Sequence, residues 1–267
     1  MENLSRDTWR IVDANLNRIS EGLRVLEEIA RLRLNDSAIT QQLKTLRHQA
    51  GRLPGDEPRL SLLIARDAAA DVGKAMNAGD GKNAGNIIDL ITANARRVEE
   101  ALRVMEELAK INNSVLDSES YRAARFSLYT LEKELAIKAS LNDKLERLRG
   151  LYVIIDAEYL RGRNPAEICR AAIKGGARII QYRNKVNGIR RRLADAEVIF
   201  EVCQKYDVLF IVNDSLEVAL ATGADGLHVG QDDLPVDIAR RLLPPDKILG
   251  CSARTVAEAK QACKLGA

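Results

Sequence analysis

The chain has 267 residues, with 41 Lys and Arg against 38 Asp and Glu and a net charge of +3. That length suits two domains, and a charge so balanced, with no long basic block, excludes a nucleic-acid partner held by bulk electrostatics and leaves any phosphate to a local site. No apolar run reaches the length of a membrane span, and the opening MENLSRDTWR lacks the apolar core of a signal peptide. The expected setting is therefore soluble and cytoplasmic, with no membrane partner.

The first half reads as helical and repeats itself. DANLNRISEGLRVLEEIARL at 13–32 returns as TANARRVEEALRVMEELAKI at 92–111, at a constant offset of 79 residues. Val12, Leu16, Ile19, Leu23, Leu26 and Ala30 step by four and three, and Ile91, Ala95, Val98, Leu102, Met105 and Ala109 repeat the steps, which predicts two amphipathic helices. Further helical patterns follow each copy, at 41–50 and 121–139, so the half is expected to be a bundle of two related hairpins. Its polar positions repeat as well: Asn15, Arg18, Glu21 and Arg24 match Asn94, Arg97, Glu100 and Arg103. They either line a symmetric phosphate pocket or form ion pairs three apart on solvated faces. MNAGDGKNAGN at 76–86 is a phosphate loop or a plain connection, and matches no Walker pattern.

The charged stretch LNDKLERLRG at 141–150 reads as a linker or a last helical turn, so the boundary falls near residue 145: a helical domain over 1–145 and an α/β domain over 146–267. Strands are predicted at 151–156, 177–183, 208–214, 226–230 and 247–252, separated by helical patterns such as NPAEICRAAIKGG, where Asn164 caps and Pro165 opens the helix. Apolar strands alternating with helices predict a parallel sheet in βα units; a doubly wound sheet and a βα barrel both fit. Cys169, Cys203, Cys251 and Cys263 lack metal-ligand spacing and read as reduced structural thiols.

Polar residues gather at the carboxyl ends of these strands. If the chain stays extended through QYRNK at 181–185, Gln181, Arg183 and Lys185 share one side. That presents an amide and two cations to a phosphate or carboxylate, or else forms a salt-bridged rim. Asp214 and Asp233 follow the third and fourth strands, and either share a hard cation such as Mg²⁺ or cap the next helices. Ser252, beyond the fifth strand, bonds a ligand or caps; His228 is a core or supporting histidine rather than a base.

Taken in order, QYRNK, IVND, GLHVGQDD and LGCSART resemble the thiamine phosphate synthases over roughly residues 150–267. The resemblance implies a (β/α)8 TIM barrel, here partial with about five βα units, that joins hydroxymethylpyrimidine pyrophosphate to a thiazole phosphate. It implies that Arg183, Lys185 and Asn213 hold the pyrophosphate, that Asp214 and Asp233 bind Mg²⁺, and that Gln181 and Ser252 contact the pyrimidine. No side-chain nucleophile is implied. Asn184 stands where many members carry an acid, but alternation turns it away from the ligand side. The family continues beyond SARTVAEAKQACKLGA with a further lysine loop and the glycine-rich loops that hold the thiazole phosphate, so the expectation is an incomplete synthase. The first half resembles a helical domain fused to such synthases and associated with phosphorylating hydroxymethylpyrimidine phosphate, on NLNRISEGLRVLEE, ARDAAADVG (65–73) and NARRVEEALRVMEE. On that reading ATP is the co-substrate, and Asp67 and Asp71, four apart, form a Mg²⁺ site or two solvated carboxylates. The competing expectations are a non-catalytic pyrophosphate-binding remnant and a helical interaction domain that serves a homo-oligomer.

Overall fold

The structure, a computed structural model, describes residues 4–53, 58–66, 85–111 and 116–267. It divides into two compact units, Met1–Ala139 and Ser140–Ala267.

In the helical unit, α1 (Arg6–Glu28) starts at Ser5, whose hydroxyl accepts from the Thr8 amide at 3.2 Å, and runs on into a π-helical turn at Ile29–Arg33. The chain then forms α2 (Ser37–Ala50), capped by Asp36, a short α3 (Pro58–Ala65), α4 (Ile87–Ile111) and α5 (Ser118–Arg147). Both stripes read from the sequence are buried in one core with Leu43 and Ile39 of α2 and Leu128 and Leu135 of α5. Each fully buried Leu or Ile contributes roughly 1.5–3 kcal/mol, so these stripes dominate the unit's stability. The duplication extends to buried charge. Glu27 is held by Arg24 and by Arg47 of α2, and Glu106 by Arg103 and by Arg125 of α5. Arg66, just past α3, makes a bidentate pair with the buried Asp13 at 2.8 and 2.7 Å.

In the α/β unit, five parallel strands, β1 (Leu151–Asp156), β2 (Ala177–Arg183), β3 (Leu209–Asn213), β4 (Gly226–Val229) and β5 (Ile248–Cys251), lie side by side in sequence order. That order lacks the reversal that defines a doubly wound sheet. The connecting helices are α6 (Pro165–Lys174), α7 (Ile189–Lys205), α8 (Leu216–Thr222) and α9 (Val236–Leu242), with α10 (Val256–Lys264) after β5. Asn164 caps α6, accepting from the Ala166 amide at 2.8 Å, and Pro165 fills its first turn. Ile180, Tyr182, Phe210, Val212, Leu227 and Leu249 pack under residues of α6 to α9, so all four helices cover one face. The other face carries Ile179, Leu209, Ile211 and Ile248, which close on Leu141 and Leu148. The stretch at 141–150 is thus helical through Arg147 and its leucines seal the lower half of that face; Lys144 to Asp246 and Arg147 to Asp207 fix it there at 3.0 and 2.8 Å. Among the described residues no helix is long and apolar enough to cross a membrane.

Candidate functional sites

The upper half of the sheet's second face is polar. Register aligns Asp156 with Arg183, Asn213 with His228 and His228 with Gly250, and the same face carries Gln181 one step below Arg183. Arg183 forms an ion pair with Asp156. Beyond the strand, Lys185 lies 2.9 Å from an oxygen of Asp214 and 3.8 Å from one of Asp233. The carboxyl ends of β1 to β5 therefore supply one continuous rim of two cations, three carboxylates, an imidazole and, through Ser252, a hydroxyl.

Local backbone geometry aims these groups. Asp214 has φ +62°, the left-handed region that non-glycine residues avoid, and its amide donates to the His228 carbonyl at 2.8 Å. Asp233 accepts from the Gly230 amide at 2.8 Å. Neither acid caps a helix, since the N-cap positions of α8 and α9 are Ser215 and Pro235. Ser252 meets the His228 Nε2 at 3.0 Å, and the cap of α10 is Thr255. A glycine is required at 250: a Cβ there would sit 2.6 Å from the His228 Nδ1. Gln181 is buried and donates to the Tyr152 hydroxyl at 3.0 Å. Asn184 turns to the opposite side, donating to the Tyr182 hydroxyl at 2.6 Å and accepting from the amides of Val186 and Asn187.

The electrostatics follow from crowding two acids. Burial, then the neighbouring Asp233, pushes the Asp214 carboxyl above its ordinary range, while the hydrogen bond from Asp214 lowers Asp233, so Asp214 is the member of the pair that takes up a proton first as pH falls. Lys185 is pushed up, first by its hydrogen bond to Asp214. Burial lowers His228, which is neutral at pH 7. Two carboxylates that repel each other on a rim that also carries Arg183 and Lys185 suit a divalent oxygen-loving cation, which would take its remaining ligands from phosphate oxygens and water. Among the described residues there is no cluster of three or more His, Cys, Asp or Glu that would hold a metal on protein ligands alone. Sequence reasoning passed over Asp156 and Tyr152; the signal for Asp156 was its place at the end of LYVIID, matching the other strand ends.

In the helical unit, a cleft of about 640 Å³ opens between α1 and α4. Its polar lining is Asn15, Arg18 and Glu21 with Asn94, Arg97 and Glu100; the remainder is Gly22 and Val25 with Ala101 and Val104. Every lining residue therefore has its partner 79 positions on, and the cleft straddles the pseudo-twofold axis of the duplication. Arg24 and Arg103 do not line it. Six residues of helix turn a side chain about 600°, some 120° away from Arg18 or Arg97, and Arg24 instead meets Glu27 and Glu28, as Arg103 meets Glu106 and Glu107. Asp67 and Asp71, with most of ARDAAADVG and of the 76–86 stretch, lie outside the described residues.

Residues 151–267 match the thiamine monophosphate synthase family and residues 10–134 match the ThiD2 family. The thiamine-phosphate synthase of Thermosynechococcus vestitus is 38% identical over 261 residues, 97% of this chain and 71% of that protein. The chain belongs to the thiamine-phosphate synthase family. Thiamine-phosphate synthases of a Synechocystis species and of Rhodopirellula baltica are 37% and 35% identical, each over 97% of this chain and over 72% and 70% of their own lengths. Among solved structures, a thiamine phosphate pyrophosphorylase from Pyrococcus furiosus is 36% identical with a TM-score of 0.42, over 45% of this chain and 57% of that protein. As in these synthase relatives, both the helical and the α/β parts of the chain fall within the match.

Proposed function

We propose that the α/β unit joins hydroxymethylpyrimidine pyrophosphate to a thiazole phosphate, giving thiamine phosphate and pyrophosphate. The helical unit, on the same proposal, makes the pyrophosphate by phosphorylating hydroxymethylpyrimidine phosphate at the expense of ATP. The five βα units are a sector of a (β/α)8 barrel, a reading supported by the unreversed strand order and by helices on one face only. The four cysteines are free thiols, which suits a reducing cytoplasm.

The observation that carries the synthase reading is the Lys185 ammonium reaching both Asp214 and Asp233, which gathers the ends of β2, β3 and β4 on one rim. In the reaction the bond from the pyrimidine methylene carbon to the diphosphate oxygen breaks, the diphosphate keeps the electron pair, and the thiazole nitrogen bonds to the resulting cation. Arg183 and Lys185 grip the departing diphosphate with Asn213, in a partly buried site where such contacts count more than in water. Gln181 and Ser252 orient the pyrimidine; neutral His228 fixes the Ser252 hydroxyl. No group on the rim is asked to act as base. Asp214 and Asp233 are the residues that would hold Mg²⁺, which supplies charge neutralisation on the diphosphate.

Turnover with both substrates supplied, read as thiamine phosphate formed, tests the assignment. Arg183→Ala is expected to lower kcat/KM about 100-fold or more, the loss that follows removal of a donor to developing negative charge. Its Asp156 partner, with a side chain 13% exposed, loses its counter-ion but keeps the Glu158 amide as a donor, so a modest fall in melting temperature is expected beside the loss of turnover. Turnover equal to that of the parent chain would overturn the assignment.

A further inference from the structure

We propose that the cleft on the pseudo-twofold axis binds a phosphorylated small molecule together with a divalent cation, with Arg18 and Arg97 as matched phosphoryl-binding residues and Glu21 and Glu100 as matched cation-binding ones. The proposal takes its choice of ligand from the kinase reading of the helical unit, but its residues come from the cleft alone.

Three observations carry it. The first is charge left without a local partner. Arg18, Glu21, Arg97 and Glu100 form no ion pair or hydrogen bond with another described residue. Arg18 and Glu21 are three apart on α1, as are Arg97 and Glu100 on α4, and that spacing does form pairs elsewhere on these helices: Arg24 with Glu27, and Arg103 with Glu106. In both copies these exposed charges line the open cleft instead of pairing along the helix.

The second observation is a committed amide. Asn15 is only 3% exposed, donates from Nδ2 to the Ile11 carbonyl at 2.8 Å, and leaves its Oδ1 buried without a partner among the described residues. Asn94 makes the equivalent bond to Leu90 at 2.8 Å. A buried acceptor on the wall of a cleft calls for a donor, so the ligand carries N–H or O–H groups beside its phosphoryl oxygens. The third is size and sign. About 640 Å³ is in the range of small-molecule sites. Two cations and two carboxylates cancel, so a bare anion would meet as much repulsion as attraction; a phosphate ester bridged by a divalent cation satisfies all four. Gly22, Val25, Ala101 and Val104 provide an apolar floor for a flat ring.

Calorimetric titration tests this on the whole chain carrying Arg183→Ala, Lys185→Ala and Asp233→Asn together, which removes both cations and one of the paired acids of the α/β rim from the measurement. The probes are hydroxymethylpyrimidine phosphate and inorganic pyrophosphate, each with and without Mg²⁺. We expect one ligand per chain, bound more tightly with Mg²⁺, and a loss of affinity of about tenfold or more in both Arg18→Met and Arg97→Met, as a lost charge-assisted bond gives. Glu21→Gln and Glu100→Gln should each reduce the gain from Mg²⁺, whereas Arg24→Met should bind as the parent does. Failure of the parent to bind either probe, or unchanged affinity in either arginine variant with helicity intact, overturns the proposal. So does a dimer that Arg18→Met dissociates, which would make the cleft a self-association surface. The kinase reading fails separately: binding that depends on both arginines without phosphoryl transfer sinks the kinase and keeps the cleft, whereas transfer that survives both variants sinks the cleft alone.

Discussion

Asp214 holds its left-handed backbone at a cost on the order of 1 kcal/mol, and the return is direction. A residue continuing β3 in the extended form would alternate to the helix-covered face, where Val212 and Phe210 are buried. Leaving the strand with φ +62° brings the carboxylate to Lys185 instead. Asp214→Gly separates the two effects. Glycine adopts the same backbone freely, so the melting temperature should hold or rise, while turnover falls by about 100-fold or more for want of the carboxylate. Thermal melting and a pyrophosphate-release assay on one preparation decide it; a variant that is destabilised yet active would show that the conformation serves packing alone. The pH dependence has a definite sign. Because the folded state raises the Asp214 carboxyl, its protonated form favours folding at low pH and that contribution is lost as pH rises through the raised value. The site is therefore most burdened by its own charge at neutral pH, where a bound cation would relieve it.

At the scale of elements, the bundle depends on close approach of α1 and α4. A Cβ at Gly22 would lie 2.5 Å from the Val98 Cγ2 and 3.1 Å from the Asn94 carbonyl, so only glycine lets the helices meet where the cleft begins. The opposite side of α4 carries an acid pair. Glu99 is raised to about 7, first by burial and then by Glu132 of α5, and its Oε1 is buried without a hydrogen-bond partner among the described residues. A proton on Glu99 thus stabilises the folded unit in full below its ordinary value of 4.5, and the contribution fades as pH rises through about 7. Glu99→Gln imitates the protonated form. Melting of the helical signal should coincide for the two proteins at acid pH, then fall for the parent and stay level for Glu99→Gln toward pH about 8. Parallel curves across that range would mean that Glu99 titrates as a solvated acid.

At the scale of the whole molecule, what was legible in the sequence had a period. Leu16 to Leu26 and Ala95 to Met105 repeat every three or four residues because one helix face is dry, and all are buried. The rim was legible for a similar reason: successive parallel strands deliver their carboxyl ends to one edge, so QYRNK, IVND and GLHVGQDD had to converge. What lacked a period was hidden. LNDKLERLRG reads as a linker because only Leu141 and Leu148 meet the sheet, and nothing local distinguishes a leucine under a sheet face from one in solvent. Arg18 and Arg24 look alike in the sequence, and only the place where α4 crosses α1 separates a cleft residue from a surface ion pair. Each site is built wholly from residues of its own unit, and this leads to a final expectation about how damage distributes. With hydroxymethylpyrimidine pyrophosphate supplied, Arg97→Met should make thiamine phosphate at close to the parent rate, and with only the monophosphate and ATP supplied it should stall. Asp214→Asn should reverse the pattern, accumulating the pyrophosphate and converting little of it. Reading thiamine phosphate formed from the supplied pyrophosphate, and the pyrophosphate formed from the monophosphate and ATP, on both variants gives four rates, and only the crossed pattern agrees with two separate sites acting in series; one variant failing in both readouts would mean that a single site serves both steps.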